Sequence, residues 1–184
     1  MATALVEGHQ RFTFGDRWTV IKYDEHRDYR NGALRNRCSG KAVDFAAVHT
    51  ELWLCLIEVK DFRGHRIENQ GRLSGLLAEE VGLKVRDTVA GIIGAHRVSS
   101  SPNDWRVYSR ELVKREPALR VVLWLEDDLA QTNPQRWQAK ASTLMKLIKE
   151  YTCWLTHRVL VTNSQMSPAL PDLTVENLAG AGMN

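Results

Sequence analysis

The sequence predicts an α/β fold: a mixed β-sheet with an antiparallel β-hairpin, flanked by helices on both faces. Three features carry the prediction. The early strands alternate apolar and polar residues and are joined by a very short connection, as in a hairpin. The later apolar runs are separated by stretches of helical periodicity, the pattern that links parallel strands. At 184 residues and 43% hydrophobic, the chain can bury a substantial core. One domain over residues 1–167, followed by a C-terminal tail over 168–184, accounts for the whole length.

Taken in order, residues 18–23 (WTVIKY) are β-branched and aromatic and read as the first strand. Residues 24–40 are charged and contain the breaker pairs Asn31-Gly32 and Ser39-Gly40. Two strands follow over 41–48 (KAVDFAAV) and 52–60 (LWLCLIEVK), with His49-Thr50-Glu51 between them. Beyond Gly64 the period changes to 3.6, and Leu73, Leu77, Val81, Val85, Val89 and Ile92 make one helical stripe reaching His96. Gly82 is expected to weaken that helix and to divide it in two. A second helix is expected over 104–115, before Pro117. Residues 119–125 (LRVVLWL) are almost wholly apolar, the mark of a central strand covered on both sides. A helix over 134–155 and a last strand over 158–162 complete the core, and the tail from Pro168 reads as a peripheral arm.

Composition narrows the function classes. Lys and Arg number 25 against 22 Asp and Glu, so the formal charge of +3 permits a nucleic-acid partner without requiring one. The three cysteines are widely spaced with no CxxC, which argues against a disulfide framework or a zinc site and for a reducing cytoplasm. No apolar run approaches the roughly 20 residues of a membrane span, and the first residues lack the pattern of a signal peptide.

The informative segment is 41–64, KAVDFAAVHTELWLCLIEVKDFRG. Asp44 and Glu58 interrupt runs that otherwise read as buried strand, and a buried carboxylate is costly unless paired or bound to a cation. Side chains alternate along a strand, so Glu58 and Lys60 share a face. If the hairpin turns about Glu51, Asp44 falls opposite Glu58 and Ala42 opposite Lys60, with facing Cβ atoms about 5 Å apart. Two carboxylates at that distance repel one another, and a divalent cation with a preference for oxygen, magnesium or manganese, resolves the conflict.

Asp44, thirteen intervening residues and then Glu58-Val59-Lys60, on a hairpin followed by a helix, resembles the PD-(D/E)xK restriction-endonuclease-like superfamily. The residue before Asp44 is Val43 where the signature has proline. The resemblance implies a Mg2+- or Mn2+-dependent nuclease acting on DNA, with Asp44 and Glu58 as metal ligands and Lys60 as the group that orients the attacking water and stabilises the transition state. It implies a further acidic residue from upstream, for which Glu7 and Glu25 are both candidates. A homodimer or a subunit of a larger nuclease or defence system fits the absence of a recognisable target-reading domain. The alternative is a non-catalytic nucleic-acid-binding or interaction protein that retains the fold.

Other charged groups read more plainly. Arg63, His65 and Arg66 suit either phosphate contact or a solvated loop, while Lys84, Arg86 and Arg97 read as solvated helix positions. Glu126-Asp127-Asp128 reads as a solvated turn, and Trp18, Trp53, Trp124 and Trp137 as core. The scattered histidines give little support to a zinc hydrolase.

Overall fold

The computed structural model describes residues 1–51, 53–64, 75–114, 119–166 and 170–178. Among the described residues, eight strands and six helices follow in order: β1 (Thr3–Glu7), β2 (Gln10–Phe14), β3 (Trp18–Lys22), α1 (Arg27–Arg30), α2 (Ala33–Cys38), β4 (Phe45–His49) and β5 (Trp53–Asp61). Then come α3 (Leu77–Val98), α4 (Pro102–Leu112), β6 (Leu119–Glu126), α5 (Leu129–Thr132), α6 (Pro134–Thr152), β7 (Val159–Thr162) and β8 (Leu173–Asn177). The strands form a five-stranded mixed sheet, β3-β4-β5-β6-β7, and a three-stranded sheet, β1-β2-β8.

Local sequence explains the order of the large sheet. The short connection after His49 folds β4 antiparallel to β5, whereas β5, β6 and β7 are parallel because helices carry the chain between them. The hairpin pairs Phe45 with Ile57, Ala46 with Leu56 and Val48 with Leu54, so facing residue numbers sum to 102, the register expected for a turn about Glu51. The first hairpin strand starts at Phe45 rather than Lys41. Residues 41–43 are drawn to α3 instead, where Lys41 N donates to Asp87 Oδ2 and Val43 N to Thr88 Oγ1.

The two faces of this sheet are covered differently, and here the expectation of helices on both faces is corrected. Ala46, Val48, Leu54, Leu56, Val121 and Leu123 pack against α3, α4 and α6. The opposite face, with Phe45, Ala47, Cys55, Ile57, Val122 and Trp124, meets Phe12, Phe14 and Leu170 beneath the small sheet. Phe12 lies 5.1 Å from Phe45 in a tilted pair and edge-on at 5.4 Å to Trp124. The residues that build this second layer come from both ends of the chain. Strands β1 and β2 turn about Gly8, whose φ of +54° suits glycine, and β8 adds antiparallel to β2. The segment expected as a peripheral arm thus contributes a paired strand and the buried Leu170. Its short Leu173-Thr174-Val175 alternation finds apolar cover only against a distant partner.

Helix α3 runs unbroken through Gly82, against expectation, while Leu73 and the start of its predicted stripe lie outside the described residues. A Cβ at Gly82 would come within 2.5 Å of Tyr151 Cβ, so the glycine there lets α6 approach. Gly91 is explained in the same way, because a Cβ would lie 2.0 Å from the Tyr23 hydroxyl. Gly91→Ala is expected to lose about 1–3 kcal/mol of stability, read as a lower urea midpoint, even though alanine is the better helix former. An unchanged midpoint would show that Tyr23 moves aside freely. No helix among the described residues is long and apolar enough to cross a membrane.

Candidate active site

The site lies where the hairpin ladder runs out. Asp44 sits one residue before β4, in line with Glu58 across the register. Its Oδ2 accepts the Val59 N–H at 2.6 Å, and Tyr23 N donates to the Asp44 carbonyl at 2.8 Å. The second bond brings the end of β3, and with it Asp24, beside Asp44. Asp44 and Glu58 thus share the helix-covered face of the sheet.

Glu58 is fully buried. Its Oε1 takes two ammonium groups, Lys60 Nζ at 2.8 Å and Lys84 Nζ at 2.6 Å. Its Oε2 is buried with no hydrogen-bond partner among the described residues. Lys60 also pairs with Glu80 at 2.9 Å. Burial alone would lower the Lys60 pKa, but the Glu58 and Glu80 carboxylates outweigh it and hold the ammonium above its ordinary range.

A second group of acids meets the first at Asp44. One carboxylate oxygen each from Glu7, Asp24 and Asp44 lies within 4.8 Å of the others. Of the two acids left open by the sequence, Glu7 joins this group. Glu25 is half exposed and pairs with Lys22 at 2.8 Å. Lys22 also holds Glu7 at 2.9 Å and donates to the Val6 carbonyl, tying the end of β1 to β3. Burial raises the pKa of the Asp44 carboxyl to about 8, assisted by Glu58 and opposed by Lys84. Asp24 is raised as well, chiefly by burial and by Glu7, and its Oδ1 is another buried oxygen without a partner among the described residues.

This donor set fits a divalent cation. Three carboxylates, Glu7, Asp24 and Asp44, converge beside Glu58, buried oxygens of Asp24 and Glu58 have no partner among the described residues, and burial favours the protonated form of Asp44 and Asp24 in the metal-free protein. A cation held by Asp44 with Glu7 and Asp24 would partner the Asp24 oxygen, and one held by Asp44 with Glu58 would partner Glu58 Oε2.

Two members of the site were not expected. Lys84 is no solvated helix position: only 17% of its side chain is exposed, and it is bonded to Glu58. Its helical phase carries the signal, since Lys84 falls between Val81, Val85 and Thr88 on the buried stripe. Asp24 opens a turn-rich segment and offers no such signal. Arg86 is exposed, as expected. Arg63 is bound by Asp61 and by Asn177 Oδ1, while His65 and Arg66 lie outside the described residues. The acids 126–128 are not a solvated turn. Glu126 is buried and accepts from Gln10, Trp124 and Ser164, Asp127 is buried against Lys140, and Asp128 accepts from Gly64 N. With every carboxylate so occupied, this cluster is structural.

Comparison of the chain with protein-family models, with curated proteins and with solved structures gives no match.

Proposed function

We propose that this chain is a metal-dependent nuclease, of the PD-(D/E)xK type, that hydrolyses phosphodiester bonds in DNA. The observation that carries the reading is the placement of Asp44, Glu58 and Lys60 at one end of an antiparallel hairpin, on a single face, with Glu58 Oε2 buried and without a hydrogen-bond partner among the described residues. The mixed sheet, with its hairpin leading into parallel strands and a helix over the site, is compatible with a restriction-endonuclease-like core.

In this reading Asp44 and Glu58 hold magnesium or manganese, with Glu7 and Asp24 completing the oxygen set. The cation supplies positive charge that neutralises the phosphate and acidifies a nearby water. Lys60, kept protonated by its two carboxylate neighbours, orients that water and stabilises charge building on the scissile phosphate. Lys84 fixes the Glu58 carboxylate through Oε1, which would leave Oε2 available to a cation. Val59 N–H does the same for Asp44 through the 2.6 Å bond to Oδ2.

The test is plasmid nicking in magnesium, in manganese and in EDTA. Cutting is expected with either metal and not in EDTA, and Asp24→Asn is expected to raise the metal concentration needed for half-maximal cutting by roughly tenfold. Cutting that persists in EDTA would overturn the metal requirement. The closed ion pairs around Glu58 favour a second reading, a nucleic-acid-binding protein without cleavage. DNA binding with no cutting in any metal would select it.

A further inference from the structure

The excess positive charge of the chain is concentrated in one place. From His26 to Lys41 the sequence holds Arg27, Arg30, Arg35, Arg37 and Lys41 against a single acid, Asp28, a net of +4 where the whole chain carries +3. All five cations are exposed. Asp28 is turned inward, with Oδ2 accepting from Ser99 Oγ and Trp105 Nε1. The acids just upstream are engaged elsewhere, Asp24 in the cation site and Glu25 with Lys22. Arg37 and Lys41 have no ion pair among the described residues, and Arg35 lies over the Tyr29 ring at 5.6 Å. Like charges gathered without counter-charges repel one another, and an anionic ligand relieves that repulsion.

These cations border a groove. Two adjoining cavities, of about 510 and 300 Å³, share Leu34 as a wall and lie between α1–α2 and α3. They follow α3 from Leu83 to Val98, a length of about 22 Å at about 1.5 Å per residue. The α3 side is low, built from Ala90, Gly91 and Gly94, and a Cβ at Gly94 would meet nothing within 4 Å. Arg27 lines one end, and Lys41 and Arg86 line the other.

The groove adjoins the acids of the candidate site. Lys41 stands three residues before Asp44, a reach of at most about 10 Å. Arg27 follows Asp24 by three residues, and Arg86 lies two beyond Lys84 on α3. A strand with one phosphate at Asp44 therefore has neighbouring phosphates within reach of Lys41.

We propose that this groove carries the sugar–phosphate backbone of the DNA strand, with Arg35, Arg37 and Lys41 contacting its phosphates. Unpartnered cations along an open groove call for an extended anion, and the adjoining site makes that anion the substrate. The proposal rests on the nuclease reading for this second step. Phosphate contacts position a strand without reading its sequence, so the groove binds strands of any sequence in a salt-dependent way.

The experiment is fluorescence anisotropy in EDTA with labelled oligodeoxythymidylate over a range of salt. Arg35→Gln, Arg37→Gln and Lys41→Gln combined are expected to weaken binding by about tenfold or more at low salt. They are also expected to reduce the slope of log affinity against log salt by about 2, at about 0.7 per phosphate contact of a single strand. Arg136→Gln, Lys146→Gln and Arg158→Gln combined remove the same charge from exposed positions outside the groove, and affinity is expected to stay within about twofold. If the groove variant does not fold, Arg37→Glu alone, at an exposed side chain with no ion pair to lose, is expected to weaken binding about fivefold. Wild-type affinity in the groove variant, an equal loss in the control, or no binding by the wild type at low salt overturns the proposal. Tighter binding to phosphatidylserine vesicles than to the strand overturns DNA as the occupant. The readout needs no cleavage, so groove-dependent binding without cutting in any metal keeps the groove and removes the nuclease reading. Cutting with an affinity that the groove variant leaves unchanged does the reverse.

Discussion

Lys60→Ala is expected to slow metal-dependent plasmid cleavage by about 10²–10³-fold, the loss typical of removing one preorganised donor from a developing negative charge. Magnesium binding, read as the rise in melting temperature on adding the ion, is expected to stay largely intact, because the carboxylates remain. Glu58→Ala is expected to lose both. Lys84→Met separates the roles of the two lysines. Both bond to the same Glu58 oxygen, and Lys60 also bonds Glu80. The Lys84 change is therefore expected to cost stability and metal affinity together, with a smaller loss of rate at saturating metal. Lys60→Ala cutting at the wild-type rate would remove the central assignment.

The metal-free protein is expected to lose stability as pH rises. Asp44 has its folded-state pKa raised to about 8, mainly by burial and then by Glu58. A carboxyl raised in this way binds its proton more tightly folded than unfolded. Its contribution is fully present below the ordinary carboxyl range and is lost as pH climbs through about 4 towards 8. A tenfold difference in proton affinity between the folded and unfolded chains is worth about 1.4 kcal/mol, so the loss amounts to several kcal/mol across that window. Asp44→Asn keeps an oxygen to accept the Val59 N–H and removes the titration. Its melting temperature in EDTA is expected to fall less steeply with pH, the raised Asp24 carboxyl still titrating, and to be higher than that of the wild type at pH 8. Magnesium is expected to restore the wild type at pH 8 and to do little for the variant. Parallel pH profiles for the two proteins would refute the assignment of the effect to Asp44.

The hairpin was legible because two local rules agree on it. Period-2 alternation sets the face of each residue, and a short connection after His49 sets the register, so Asp44 could be placed against Glu58 from sequence. Strand β6 was legible for the same reason, since an unbroken apolar run has few places to go other than the middle of a sheet. What escaped is non-local. The choice between Glu7 and Glu25 depends on how β1 lies against β3, which Lys22 fixes by bridging the end of one strand to the other. Nothing within ten residues of Glu7 announces that bridge. The covering sheet escaped because β1, β2 and β8 are each only five residues long and gain their stability from Phe12 and Phe14 packing on a distant layer. Lys84 is a different case: its helical phase was readable, but the buried acid it meets becomes visible only once α3 is laid over β5.

The pairing of β8 with β2 has a consequence for synthesis. Until residues 170–178 have left the ribosome, Phe12 and Phe14 lack the cover of Leu170 and Leu173, and the strand that aims Glu7 has an unsupported partner. The hairpin acids can assemble early from neighbouring sequence, whereas the third carboxylate of the Glu7 group waits for the far end of the fold. A nascent polypeptide therefore cannot bring Glu7 firmly against Asp24 and Asp44 until that outer layer closes.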